Sequence, residues 1–169
     1  MGYNSCGDMP ERQSSLEFIM NSLHMYILSG MSFAGKSVVA REISKAKGVE
    51  IVDPDEVAHE KGLGLHGEFL SNEDWSNVHQ EAESRAKQLL CLGKSIVYDT
   101  TAFNKEQRDY LRAIARTYEA TPLVIIVSIT RQEAFRRWQE NTLSKRRAPV
   151  HIDDFEMCAD AFTFPNEGE

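Results

Sequence analysis

The stretch Gly30-Met31-Ser32-Phe33-Ala34-Gly35-Lys36-Ser37 constrains this chain more than any other part of it. The spacing Gly-x-x-x-x-Gly-Lys-Ser is that of a loop built to cradle phosphates. Gly30 and Gly35 permit backbone conformations that a side chain would block, so successive N–H groups converge on one anion. Met31, Ser32, Phe33 and Ala34 supply the peptide groups between them. Lys36 is placed to set a point charge beside the β- and γ-phosphates, and Ser37 to offer a hydroxyl to Mg²⁺. All eight residues are candidate nucleotide ligands.

Such a loop needs a strand before it and a helix after it. Met25-Tyr26-Ile27-Leu28 is a short apolar run suited to a strand buried on both faces. Behind the loop, "SVVAREISKAK" brings Val38, Val39, Ile43 and Ala46 to one side of a helix whose positive end faces the phosphates. Further strand-like runs lie at 49–52, 95–99 and 123–129; the last, "LVIIVSI", reads as the clearest central strand. Helical patterns alternate with them. The segment 71–93 opens on a Ser71/Asp74 capping box and stops at Gly93. A second helix is capped by Asn104 and buries Leu111, Ile114, Ala115 and Tyr118. A third runs from Thr130 and Glu133 through Trp138, and a last one from about Ile152 with Phe155, Ala159 and Phe162 on one face. The alternation predicts an α/β fold: a mostly parallel sheet of about four to five strands with helices on both faces.

The chain of 169 residues fits a single domain. Residues 1–23 read as an extension of uncertain structure and 24–169 as the domain. A net charge of −7 argues against a surface that coats nucleic acid, while leaving room for a local basic pocket. Cys6, Cys91 and Cys158 are far apart and odd in number, which predicts neither a disulfide framework nor a metal site. No apolar run approaches the roughly 20 residues that span a bilayer, and the first residues lack the pattern of a signal peptide. A cytoplasmic protein without a membrane partner is expected. Gly62-x-Gly64-x-x-Gly67 formally matches a dinucleotide fingerprint, but a helical segment precedes it instead of a strand, so it reads as a loop bordering an acceptor site.

The second half of the site decides what a phosphate loop is for. A GTP switch needs Asn-Lys-x-Asp, and Asn104-Lys105-Glu106-Gln107 fails at its last position. A kinase acting on a small substrate fits both length and pattern. Asp53 and Asp55 follow the second strand on the loop's side of a parallel sheet, where a carboxylate accepts the proton of an attacking hydroxyl. Pro54 fixes its own φ and biases Asp53 toward extended backbone, so Asp53 is expected to cap the next turn and Asp55 to serve as the base. In "SIVYDTT", Asp99 ends an apolar strand where a carboxylate holds Mg²⁺ through water. Arg136, Arg137, Lys145, Arg146 and Arg147 crowd the segment 136–150 of an acidic protein, where a lid over the phosphates is expected. Arg137 is a candidate nucleotide ligand, and Arg146 and Arg147 are candidate catalytic residues.

With these residues in view, the chain resembles the small P-loop kinases grouped around the 5′-kinase domain of bacteriophage polynucleotide kinase, among AAA-type kinases. Zeta-toxin-like and chloramphenicol-phosphotransferase-like enzymes are more distant relatives. The resemblance spans about residues 25–165 and rests on "GMSFAGKS", "DPDEV", "DTTAFNKEQRDYLRAIA", the Arg-rich segment and "VHIDDF". It implies a P-loop NTPase fold with an Arg-rich lid, ATP and Mg²⁺ as cofactors, and transfer of the γ-phosphate to an alcohol hydroxyl. By the same resemblance Asp55 matches the general base, Lys36 and Ser37 the phosphate and metal ligands, and Asp99 an acidic residue of the acceptor and metal region. Arg146 or Arg147 matches the lid arginine. Three residues after the base the polynucleotide enzymes carry an Arg that grips the acceptor's phosphate; here the position is Ala58. The acceptor is thus a small hydroxylated metabolite or a polynucleotide 5′ end, the former slightly favoured. A nucleotide-binding regulatory protein with weak ATPase activity is the alternative.

Overall fold

The computed structural model of the chain describes residues 22–64, 69–144 and 149–166. Its elements in chain order are β1 (His24–Ser29), α1 (Lys36–Lys47), β2 (Glu50–Val52), α2 (Pro54–Glu60), α3 (Asn72–Cys91), β3 (Ile96–Tyr98), α4 (Lys105–Thr117), β4 (Thr121–Ile126), α5 (Arg131–Ser144) and α6 (Ile152–Ala161). The four strands form one sheet in the order β2-β3-β1-β4, and every pair is parallel. In register, Ile27 of β1 stands beside Tyr98 on one side and Val124 on the other. The α/β fold with a parallel sheet is therefore as expected, with four strands among the described residues.

Period-two alternation along the strands decides how the layers pack. Met25 and Ile27 join Ile96, Tyr98 and Val52 on one face, covered by Val78, Ala82, Ala86 and Leu90 of α3 and by Leu111, Ile114 and Ala115 of α4. Leu28 and Val97 point the other way, against Ala40 of α1 with Val39, Ile43, Ile51 and Ile125 around them. Burying each such side chain contributes about 1.5–3 kcal/mol. A third cluster lies at the loop end of the sheet: Met31 and Phe33 pack on Ala134 of α5 and Phe155 of α6, with Phe135, Trp138 and Ile152 against them.

Local signals place the helix ends. Ser71 and Asp74 form the full capping box, Asn104 accepts the Gln107 N–H at 2.9 Å, and Thr130 Oγ1 accepts the Glu133 N–H at 3.1 Å. Each cap meets backbone donors that a helix's first turn leaves unpaired, worth about 1 kcal/mol. Gly62 and Gly64 follow α2 with positive φ, as a turn and not as a strand-borne fingerprint; Gly67 lies outside the described residues.

Four expectations change. The apolar run 123–129 is not a central strand: β4 spans Thr121–Ile126 and is the sheet's edge among the described residues. An apolar run reports burial of faces, not lateral pairing, and Pro122, which lacks a donor, belongs at an edge. Cys158 is a buried free thiol, but Cys91 is disulfide-bonded, because sequence spacing does not tell which thiols meet in space. The expected lid begins inside α5, which carries Arg136 and Arg137, while Lys145, Arg146 and Arg147 lie outside the described residues. Phe162 caps α6 instead of lying within it. The extension 1–23 lies outside the described residues except for 22 and 23, where Leu23 O accepts the Thr121 N–H at 2.7 Å. No helix among the described residues is long and apolar enough to cross a membrane.

The tightest constraint falls on Gly30, where a Cβ would sit 2.4 Å from the Val127 carbonyl oxygen. Neither backbone can yield without disturbing β1 or the exit from β4. Gly30→Ala should lower the unfolding free energy by at least about 2 kcal/mol. Urea unfolding of the variant checks this, and an unchanged midpoint would show that the two segments move apart freely.

Candidate active site

The phosphate loop leaves β1 at Gly30, whose N–H donates to Thr101 O at 2.9 Å in the loop after β3. It turns at Phe33, a non-glycine residue with φ 64, and at Gly35 with φ 101. Left-handed backbone costs a residue with a side chain about 1–2 kcal/mol. Burial of the Phe33 ring, whose centroid lies 6.4 Å from that of Phe155, offsets this. Ala34 N–H returns to Met31 O at 3.2 Å. Lys36 opens α1 and is 9% exposed; its Nζ donates to Gly30 O at 3.1 Å and Met31 O at 2.9 Å. Ser37 follows in the first turn of the same helix. The sequence-predicted loop residues are thus gathered around one lysine at a helix N-terminus, the geometry that binds anions.

Beside the loop, the ends of β2 and β3 bring carboxylates together. Asp53 has φ −125 and ψ 116, and its Oδ1 accepts the Asp55 N–H at 2.8 Å. It is the N-cap of α2, with Pro54 at the first helical position. Asp55 stands in that helix's first turn. Asp99 is buried, and its N–H donates to Val52 O at 2.9 Å, which locks the two strand ends side by side. Burial, together with the charges of Asp55 and Asp99, pushes the Asp53 carboxyl up to about 7. The register of Val52 beside Tyr98 sets Asp53 and Asp99 side by side, each directly after its strand, with Asp55 two residues beyond Asp53. Ala58 is 5% exposed and packs in the core, so it offers nothing to an acceptor.

The basic segment divides. Arg137 reaches the loop, its Nη1 donating to Phe33 O at 3.2 Å and Ala34 O at 3.4 Å. Arg136 lies along the exposed side of α5 and pairs with Glu133 and Glu140. Arg146 and Arg147, expected as lid arginines, lie outside the described residues.

Two side chains escaped the sequence reading. His79, on α3, stays below the usual imidazole value because of desolvation, against the upward pull of Asp55. Its ring lies tilted against that of Trp75, one turn earlier, with centroids 5.8 Å apart. The i, i+4 spacing of Trp75 and His79 was the available signal, but it is equally that of a buried stripe. Glu133 was read as a helix-end residue, yet its carboxylate holds Arg137 Nε at 2.8 Å. Hydrogen bonds from Arg136 and Arg137 hold that carboxyl down at about 2.

The donor set suits the implied cofactors. Ser37 and Asp99 offer hard oxygen, the chemistry Mg²⁺ takes when phosphates supply its other ligands. Lys36 Nζ lies against the loop carbonyls of Gly30 and Met31, in the position a nucleotide's phosphates require.

A profile of the AAA domain family matches residues 25–165. No curated protein sequence matches the chain. Among solved structures, a chain of the Pnkp1/Rnl/Hen1 RNA repair complex superposes with a TM-score of 0.69 at 15% identity, over 83% of this chain and 44% of that one. The present chain therefore spans less than half the length of that protein. Chaetomium thermophilum Kti12 in complex with ADP-AlF3 is similar at TM-score 0.64 and 18% identity, covering 84% of this chain and 81% of that one. A gluconokinase from Sinorhizobium meliloti 1021 is similar at 0.58 and 16%, covering 86% and 78%. Loop, parallel sheet and family profile agree: the chain belongs to the AAA domain family and has the fold of a P-loop kinase.

Proposed function

We propose that the protein transfers the γ-phosphate of ATP to an alcohol hydroxyl, with Asp55 as general base. The observation that carries this reading is the meeting of Asp55, Asp53 and Asp99 at the strand ends next to the loop that holds Lys36. A nucleotide-binding protein without an acceptor has no use for a second carboxylate at this place. In the reaction the acceptor oxygen gains a bond to phosphorus, the bond from phosphorus to the β,γ-bridging oxygen breaks, and Asp55 takes the hydroxyl proton. Lys36 and the loop N–H groups hold the phosphates in line. Ser37 and Asp99 would hold Mg²⁺, which would supply charge neutralisation on the phosphate oxygens. Arg146 and Arg147 are proposed to close over the transferred group.

The acceptor best supported is a small, uncharged hydroxylated metabolite. Three carboxylates crowd the acceptor side, and a polyanion approaching them meets like charge. Ala58 has no group to grip an acceptor's phosphate. A polynucleotide 5′ end is the second reading, favoured by the likeness of fold to a chain of an RNA repair complex. ATP turnover measured alone, with a panel of sugars and polyols, and with a 5′-hydroxyl oligonucleotide tests the proposal. Stimulation by one acceptor class supports phosphotransfer, and slow turnover indifferent to every acceptor supports a regulatory nucleotide-binding protein instead.

Lys36→Ala should keep the fold and lose on the order of 10²-fold or more in kcat, since one charge-stabilising contact disappears. A folded variant with unchanged kcat removes the loop from the mechanism. Asp55→Asn should lose about 10²–10⁴-fold in kcat with ATP affinity nearly kept, and Asp53→Asn should lose less. If Asp53→Asn is the dead variant, the base sits two residues earlier.

Asp53 also carries a pH signature. Its folded pKa of about 7 lies above its unfolded value of 3.8, so between these values the native state binds the extra proton. Stability is therefore lost as pH climbs from about 4 through 7. Asn caps helices as well as Asp does, so Asp53→Asn removes the repulsion and keeps the cap. The Tm of the variant minus that of wild type should be larger at pH 8 than at pH 5. Thermal melts across that range check it, and a flat difference would show that Asp53 stays ionised throughout.

A further inference from the structure

Arg137 meets the phosphate loop from outside. Its Nη1 donates to the carbonyls of two successive residues, Phe33 at 3.2 Å and Ala34 at 3.4 Å. No peptide bond among the described residues is cis, so each N–H points opposite the carbonyl of its own peptide plane. Fixing Phe33 C=O outward turns Ala34 N–H inward, and it does lie inward, on Met31 O at 3.2 Å. Fixing Ala34 C=O outward likewise turns Gly35 N–H toward the concave side where phosphates bind. The guanidinium lies against Gly35 itself, 3.8 Å from where a Cβ would stand.

Behind the loop, Arg137 is anchored on its own helix. Its Nε donates to Glu133 Oε1 at 2.8 Å. The same carboxylate takes two more hydrogen bonds from Arg136, at 2.8 Å and 2.7 Å. A lone exposed ion pair on a helix contributes little. Here the carboxylate takes three hydrogen bonds from two guanidinium groups, and that of Arg137 spans between it and the loop backbone. The chain of contacts runs Glu133, Arg137, Phe33–Ala34 carbonyls, and it joins the body of α5 to the inner N–H groups.

We propose that Glu133 and Arg137 are positioning residues, an external strut that aims the loop's N–H groups at the nucleotide's phosphates from helix α5. This rests on the kinase reading of the site. Arg137 then acts through the loop backbone and not by touching the nucleotide. Because α5 leads into the segment 145–148, the strut also links phosphate binding to the helix from which that segment departs.

The test uses the full chain and four variants: Glu133→Gln, Arg137→Ala, their combination, and Glu140→Gln, which removes a partner of Arg136 only. Amide hydrogen exchange of residues 33–36 is followed in the nucleotide-free protein. Mg-ATP, Mg-ADP and adenosine affinities are measured by calorimetry, with Tm as a check on folding. Glu133→Gln and Arg137→Ala should each speed exchange of the loop amides severalfold before any ligand is added. Each should weaken ATP and ADP by about tenfold and leave adenosine unchanged, and the double variant should lose no more than the worse single one. Glu140→Gln should match wild type. Exchange unchanged in the free protein, with ATP affinity lost only in Arg137→Ala, would mean direct contact with the nucleotide and overturn the strut. Additive losses in the double variant overturn it too. Wild-type protein that binds neither ATP nor ADP overturns the kinase reading itself, and unchanged variants of a wild type that does bind overturn the strut alone.

Discussion

Everything at the active end of this molecule is arranged around the close approach of Val127 O to Gly30. A Cβ at Gly30 would lie 2.4 Å from that oxygen, so the phosphate loop leaves the sheet through a gap only as wide as bare backbone. On the opposite side Thr101 O accepts the Gly30 N–H, and Ser29 Oγ donates to Ala102 O at 2.8 Å. The first peptide of the loop is gripped between the exits of β3 and β4. Those two exits also carry the groups that follow: Asp99 on one side, Thr130 and the start of α5 on the other. Distances across the site are therefore inherited from sheet register, which tolerates little drift.

The ends of β2 and β3 show the opposite physics. Where the loop is neutralised by backbone contacts around Lys36, the neighbouring strand ends collect negative charge. Asp53 is held there against its burial and the neighbouring charges, because it cannot leave without unpairing the Asp55 N–H. Asp53 thus serves as the helix cap, while Asp55, two residues on and past the turn at Pro54, stands in the first turn of α2. The pair illustrates how a single proline separates two otherwise similar acids by geometry.

Much of this was legible in the sequence for identifiable reasons. The phosphate loop, the Asp53 cap, the Ser71/Asp74 box and the Asn104 cap are local, and local backbone rules decide them. The place of β4 was not legible, since Leu123 to Ile126 read as a buried run whether the strand is central or at an edge; only the pairing shows that Leu123 is 38% exposed. Ala58 is a similar case in reverse. As a missing arginine it spoke to function, and its burial then explained why no other side chain could project from that place. Glu133 pairs with Arg137 one turn along the same helix, but neither that pair nor His79 was visible as part of the site, because the contact of Arg137 with the loop and the approach of Asp55 to His79 arise only through the tertiary fold.

The order of the strands has a kinetic consequence. The phosphate loop is encoded near the start of the domain, yet β1 sits in the interior of the sheet and is flanked by strands that come much later. The bond from Ser29 to Ala102 joins residues 73 apart in sequence. Closing parallel pairings across such spans is slow, because loop entropy is lost before the contacts form. During synthesis the loop therefore emerges early as an unsupported turn, and it acquires the shape of a phosphate site only after β4 has arrived to put Val127 against Gly30. A ligand that recognises the finished loop would therefore act on the last step of folding and on none of the early ones.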